Sequence, residues 1–129
     1  MHHQVRTFKL ERILSLERTG TRFRKVDFDL DRYLGRAWQM IPEGRIYHVR
    51  IRFSPMVAGN VEEVLWHPTQ RTYSTDDGSL IFEADVDGLR EICWWVLGYG
   101  DQAVVEQPRE LRELVATKVH RMAQAYGLV

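Results

Sequence analysis

Between residues 46 and 53 apolar and polar side chains alternate. Tyr47, Val49, Ile51 and Phe53 fall on one side, His48, Arg50 and Arg52 on the other. That period of two predicts a strand with one buried face. Ser54-Pro55 then opens a predicted helix, with Ser54 as N-cap, Pro55 in the first turn, and Val57, Val61, Val64 and Leu65 at helical spacing. His67-Pro68 stops it. Residues 70–75 and 79–86 flank Asp76-Asp77-Gly78, a hairpin signature. Asp87 is placed to cap a helix whose face is Leu89, Ile92, Cys93 and Val96 and which ends at Gly98 and Gly100. Ala103-Val104-Val105 predicts a short strand, and Pro108 opens a last helix carrying Leu111, Leu114, Val115, Val119 and Met122. The first six of these elements predict an α+β, ferredoxin-like (βαββαβ) antiparallel sheet, to which the final helix is an addition.

The N-terminal pattern differs. Val5 to Leu10 alternates apolar and polar and predicts a strand. Ile13 to Leu16 gives a second short apolar stretch, closed by a turn at Thr19-Gly20. Two strands alone are marginal in water, so this β arm is expected to pair with another subunit or to fold back onto its own domain. Asp29 caps a short predicted helix with Leu30, Tyr33, Leu34, Ala37 and Trp38 on one side, and Pro42-Glu43-Gly44 ends it. The chain thus divides into residues 1–27, a helix and linker at 28–44, and a domain at 45–129.

Composition sharpens that division. At 129 residues and 44% hydrophobic, the chain has material for one real core. No apolar run approaches the ~18 residues of a membrane span, and no secretory signal is visible. Cys93, the single cysteine, excludes an internal disulfide and a Cys-rich zinc site. A cytoplasmic protein without membrane association is expected. The net charge is zero, but residues 1–27 hold seven basic and three acidic groups, a net of +4, so the remainder carries −4.

Candidate chemistry is sparse. Histidines 2, 3, 48, 67 and 120 form no metal-ligand spacing, and no phosphate-binding loop or nucleophile–base motif occurs. No catalytic residue, metal site or cofactor is therefore expected, and the protein is read as a non-enzyme. A small enzyme remains an alternative that would need a pocket joining His67 to a carboxylate. His48, Arg50 and Arg52 face Glu83 and Asp85 of the neighbouring predicted strand, which favours ion pairing over RNA binding on that face. Trp94 and Trp95 point about 100° apart on their helix. Trp95 can join Ile92 and Tyr99, whereas Trp94 falls off the main face and is a candidate interface residue.

Arg6-Thr7-Phe8-Lys9-Leu10-Glu11-Arg12-Ile13 resembles the R-x-F-x-L-x-R-I ending of the WYL domain of bacterial transcriptional regulators. Val49-Arg50-Ile51-Arg52-Phe53, Trp66-His67-Pro68-Thr69-Gln70, Asp77-Gly78, Trp95-Val96-Leu97-Gly98-Tyr99-Gly100 and Glu106-Gln107-Pro108 resemble the C-terminal extension that follows it. The winged helix-turn-helix and most of the WYL barrel have no counterpart in this sequence. The resemblance implies the C-terminal fragment of a longer DNA-binding regulator. It implies that the extension assists dimerisation or higher homo-oligomerisation, and that the intact protein reaches DNA through an N-terminal domain. It also implies an effector, either a small molecule or single-stranded nucleic acid. Arg6 and Arg12 match the motif's two arginines and suit an effector phosphate, because guanidinium offers two donors and keeps its charge. The alternative is a stand-alone nucleic-acid-binding module acting through the basic arm.

Overall fold

The computed structural model describes residues 5–39 and 41–129. Its centre is a four-stranded antiparallel sheet of β1 (Ile46–Phe53), β2 (Arg71–Ser74), β3 (Leu80–Asp87) and β4 (Ala103–Gln107), in the order β2-β3-β1-β4. Helix α2 (Pro55–Glu62) connects β1 to β2 and α3 (Arg90–Leu97) connects β3 to β4, after a short α1 (Leu30–Leu34). This is the expected ferredoxin-like arrangement. The last helix, α4 (Arg109–Ala125), packs on β4 and α3.

The alternation of β1 sets the two sheet faces. Val49, Ile51 and Phe53 are fully buried, as are Leu80, Phe82, Ala84 and Val86 of β3, paired beside them. Ile92, Cys93 and Val96 of α3 and Leu111 of α4 close this side. An aromatic cluster fills its centre: Phe82 lies 5.2 Å from Trp95 and 6.0 Å from Trp38, and Phe53 lies 5.3 Å from Trp95.

Three expectations are corrected. Residues 5–10 form no strand; among the described residues they have no ladder partner, and only a single 3-10 turn at Leu10–Arg12 interrupts the extended path. A strand owes its stability to cross-strand pairs, so alternation without a partner leaves the backbone unpaired. The helix expected to carry Trp38 stops at Leu34, and Gly35 leaves it at φ 52°. Ala37 then bridges Asp87 in parallel, which delivers Trp38 into the core by an extended route.

Asp87 does not cap α3; the N-cap is Leu89. The Asp87 carboxylate instead accepts three backbone N–H bonds, from Glu43 (3.0 Å), Gly44 (2.7 Å) and Arg45 (3.1 Å). Ser54 does stand at the N-cap of α2, but its hydroxyl bonds the Gln102 side chain rather than the helix. Asp29 caps α1 as expected, accepting from the N–H groups of Asp31 and Arg32.

Candidate interface and effector sites

The arm is exposed throughout residues 5–30. Lys9 pairs with Glu11 at 3.3 Å. Arg6 and Arg12 have no acidic partner among the described residues, and neither lines the nearby hollow of about 370 Å³ formed by Val5, Asp27, Phe28, Asp29, Arg32 and Tyr33. That hollow has acidic groups at its rim, a poor setting for phosphate. The two arginines are thus available to solvent but not assembled into a site.

Trp94 stands out on the helical side. Its side chain is 67% exposed, whereas its neighbour Trp95 packs against the core. The indole is therefore not covered by α4, although the Lys118 ammonium of α4 lies 5.8 Å from the ring centroid, close enough for a cation–π attraction. Hollows lie on both sides. One of about 330 Å³ is lined by Gln39, Ile41, Arg90, Glu91 and Trp94. The other, about 250 Å³, is lined by Trp94, Leu97, Lys118, Arg121 and Met122. Ile41, Leu97 and Met122 thus offer apolar surface beside the exposed indole, with Gln39 and charged groups of both signs, Arg90, Glu91, Lys118 and Arg121, around it.

The open sheet face neutralises itself. Register places His48 opposite Asp85 and Arg50 opposite Glu83. His48 presents Nδ1 to Asp85 at 2.8 Å and Nε2 to Glu83 at 3.2 Å, so the imidazolium can donate to both. The hydrogen bond to Asp85 leads in raising the His48 pKa, and the same bond leads in lowering that of Asp85. At Glu83, burial opposes ionisation, but bonds from His48 and Tyr73 outweigh it and the pKa falls. Glu106 of β4 accepts from Arg50 Nε at 2.7 Å and from Arg52 Nε at 3.1 Å, and these bonds hold its carboxyl down as well. Ile81 is fully buried on this same face, between its register partners Arg52 and Tyr73. Each basic group of β1 has its carboxylate, which leaves little to attract phosphate.

His67 is 1% exposed and pairs with no carboxylate among the described residues. Its Nε2–H donates to the Arg36 carbonyl at 3.0 Å, and Nδ1 accepts from Thr69. The ring stacks on Trp38 at 5.9 Å with planes 2° apart. These contacts tie the segment at Arg36 to the turn after α2. The Cys93 thiol is buried and desolvation pushes its pKa up, the opposite of what a nucleophile needs. Among the described residues no three metal-ligating side chains converge, and no helix is long and apolar enough to cross a membrane. His2 and His3 lie outside the described residues.

The sequence reading missed the fastening residues Glu43, Asp87 and Glu91. Their bonds join positions more than forty residues apart, and no local spacing announces them.

The family model of the WCX domain matches residues 45–123, well over half of the chain. The chain belongs to the WCX domain family. WCX domains are found at the C-terminus of WYL-type regulators. The match begins beside the start of β1 and ends inside α4, so it takes in the whole sheet, α2, α3 and Trp94, but not Gln39 and Ile41, which form one wall of the hollow beside Trp94. No curated protein matches the chain.

Proposed function

We propose that this WCX domain is the regulatory and assembly module of a DNA-binding bacterial transcription regulator, acting in the cytoplasm and without catalytic activity of its own. The family match over residues 45–123 carries this reading. Residues 1–27 would be the last part of an effector-sensing WYL domain, with Arg6 and Arg12 as phosphate contacts. DNA would be held by an N-terminal helix-turn-helix outside this chain. Trp94 is the anchor of self-association; an exposed Trp between two hollows is a typical centre of binding energy. Light scattering on eluting protein tests the assembly. The chain should form dimers or larger assemblies at about 100 μM, and Trp94→Ala should weaken association roughly 30-fold. A monomer across the whole concentration range would sink the assembly role.

The second reading, a stand-alone nucleic-acid module, is favoured by one observation: of the seven basic groups in residues 1–27, only Lys9 has an acidic partner among the described residues. Anisotropy with a short single-stranded DNA decides it. Binding that weakens steeply with salt and is lost in an Arg6→Ala/Arg12→Ala variant would support this module. The absence of binding at low salt would discard it for this chain.

A further inference from the structure

Helix α4 carries apolar side chains that the core does not use. Val115, Val119 and Met122 recur at helical spacing on one side of it. Leu111, in its first turn, is the buried residue of the helix. Val115 is partly buried against the core, whereas Val119 and Met122 are each 51% exposed. The facing helix α3 is short. It ends at Leu97, and Gly98 and Gly100 carry the chain past its end without side chains. A Cβ on Gly100 would meet nothing within 4 Å. Space is therefore left between the end of α3 and the second half of α4.

That space is a cavity of about 310 Å³. Val96, Leu97 and Ala103 line it from the domain, and Val115, Val119 and Met122 line it from α4. At about 30 Å³ for a water-sized group it holds roughly ten non-hydrogen atoms, the scale of a small ligand. Of the lining residues, Asp101 alone carries a charge. Its carboxylate accepts from Gln102 Nε2 at 2.9 Å and has no cationic partner among the described residues. The last turn of α3 contains no basic residue either. The partial negative charge at that helix end thus adds to the carboxylate instead of being offset by a side chain.

We propose that the cavity between α3 and α4 binds a small aliphatic amine, its hydrocarbon body against Val96, Val115, Val119 and Met122 and its ammonium at Asp101. Hydrocarbon walls reward an apolar body, and a lone carboxylate beside them rewards one positive charge. An anionic ligand would meet Asp101 instead. The cations that suit an anion, Lys118 and Arg121, line the neighbouring hollow, and the Lys118 ammonium lies beside the Trp94 ring. The two hollows share Leu97 and Met122, so those cations also turn a bound amine towards Asp101. The site asks nothing of the arm or of self-association, and it stands or falls apart from them.

Methyl NMR titrations of the full chain with heptylamine, heptanol and heptanoate test it. Heptylamine should shift the methyls of Val96, Val115, Val119 and Met122 with a Kd below about 1 mM. It should bind about fivefold more tightly than heptanol, and heptanoate should bind more weakly than either. Asp101→Asn should erase the advantage of the amine while leaving heptanol within about twofold. Val119→Phe, at a half-exposed position, should fill the space and abolish binding of both. No methyl shift with heptylamine at about 5 mM overturns the site. Equal binding of amine and carboxylate, or an amine preference that survives Asp101→Asn, overturns the assignment of the ligand. Undiminished binding by a folded Val119→Phe overturns the cavity as its place.

Discussion

Phe8 and Phe82 are the same side chain in two regions of one molecule. Phe8 is 78% exposed on the arm; Phe82 is fully buried in β3. Both sit in alternating segments. The difference is what surrounds them. Pairing of β3 with β1 places Phe82 within 6.4 Å of Phe53, and helix α3 supplies Trp95 from above. The arm has the pattern of a strand but no strand neighbour among the described residues. Periodicity specifies which side of a strand is apolar; only a partner turns that side into a core.

The comparison predicts its own tests. The largest effect belongs to Phe82→Ala, which should cost about 3–5 kcal/mol by removing a fully buried ring from a packed cluster. Phe8→Ala should change stability by less than about 0.5 kcal/mol. Urea denaturation of both variants checks this, and equal losses would show that the arm is packed in solution. His67→Ala comes next, at about 2–3 kcal/mol, because it removes a buried ring and two hydrogen bonds where the Arg36–Trp38 segment meets the domain. Thermal unfolding reads it; a loss within error would mean that the stack on Trp38 contributes nothing.

Glu106→Ala should cost about 1 kcal/mol, since it leaves Arg50 and Arg52 without their shared carboxylate on a half-exposed face. A cost like that of Phe82→Ala would place the open face on a par with the core. The smallest effect concerns pH. The folded His48 pKa lies above its ordinary 6.5, so its share of stability is fully present below that value and fades as pH rises through the raised one. His48→Gln should flatten that decline. An NMR titration giving a midpoint at or below 6.5 would contradict the bonded imidazolium.

Much of the domain was legible in its sequence. The alternation of 46–53, the Asp77-Gly78 turn and the spacing of Ile92, Cys93 and Val96 each report a local signal, and the sheet follows from their order. Trp38 was not legible. Its spacing from Leu34 fits a helix, but Gly35 ends that helix and the buried place beside His67 decides where the indole goes. Asp87 misled in the same way. A carboxylate just before a helix reads as a cap, yet three amides from a distant segment claim it first. Of the proposed sites, Trp94 was readable as off the main helical face, whereas the hollow beside it was not, because one wall comes from Gln39 and Ile41, about fifty residues earlier in the chain.

The two margins of the sheet carry a last consequence. Helix α4 runs along β4, and Arg112 Nη1 occupies the Val105 carbonyl at 2.8 Å. At the opposite margin β2 is only four residues long and begins with Arg71. A strand arriving from another molecule finds one border shielded and the other too brief to hold it. Despite an arm rich in strand-forming residues, the fold is thereby guarded against growing into a continuous ribbon of copies.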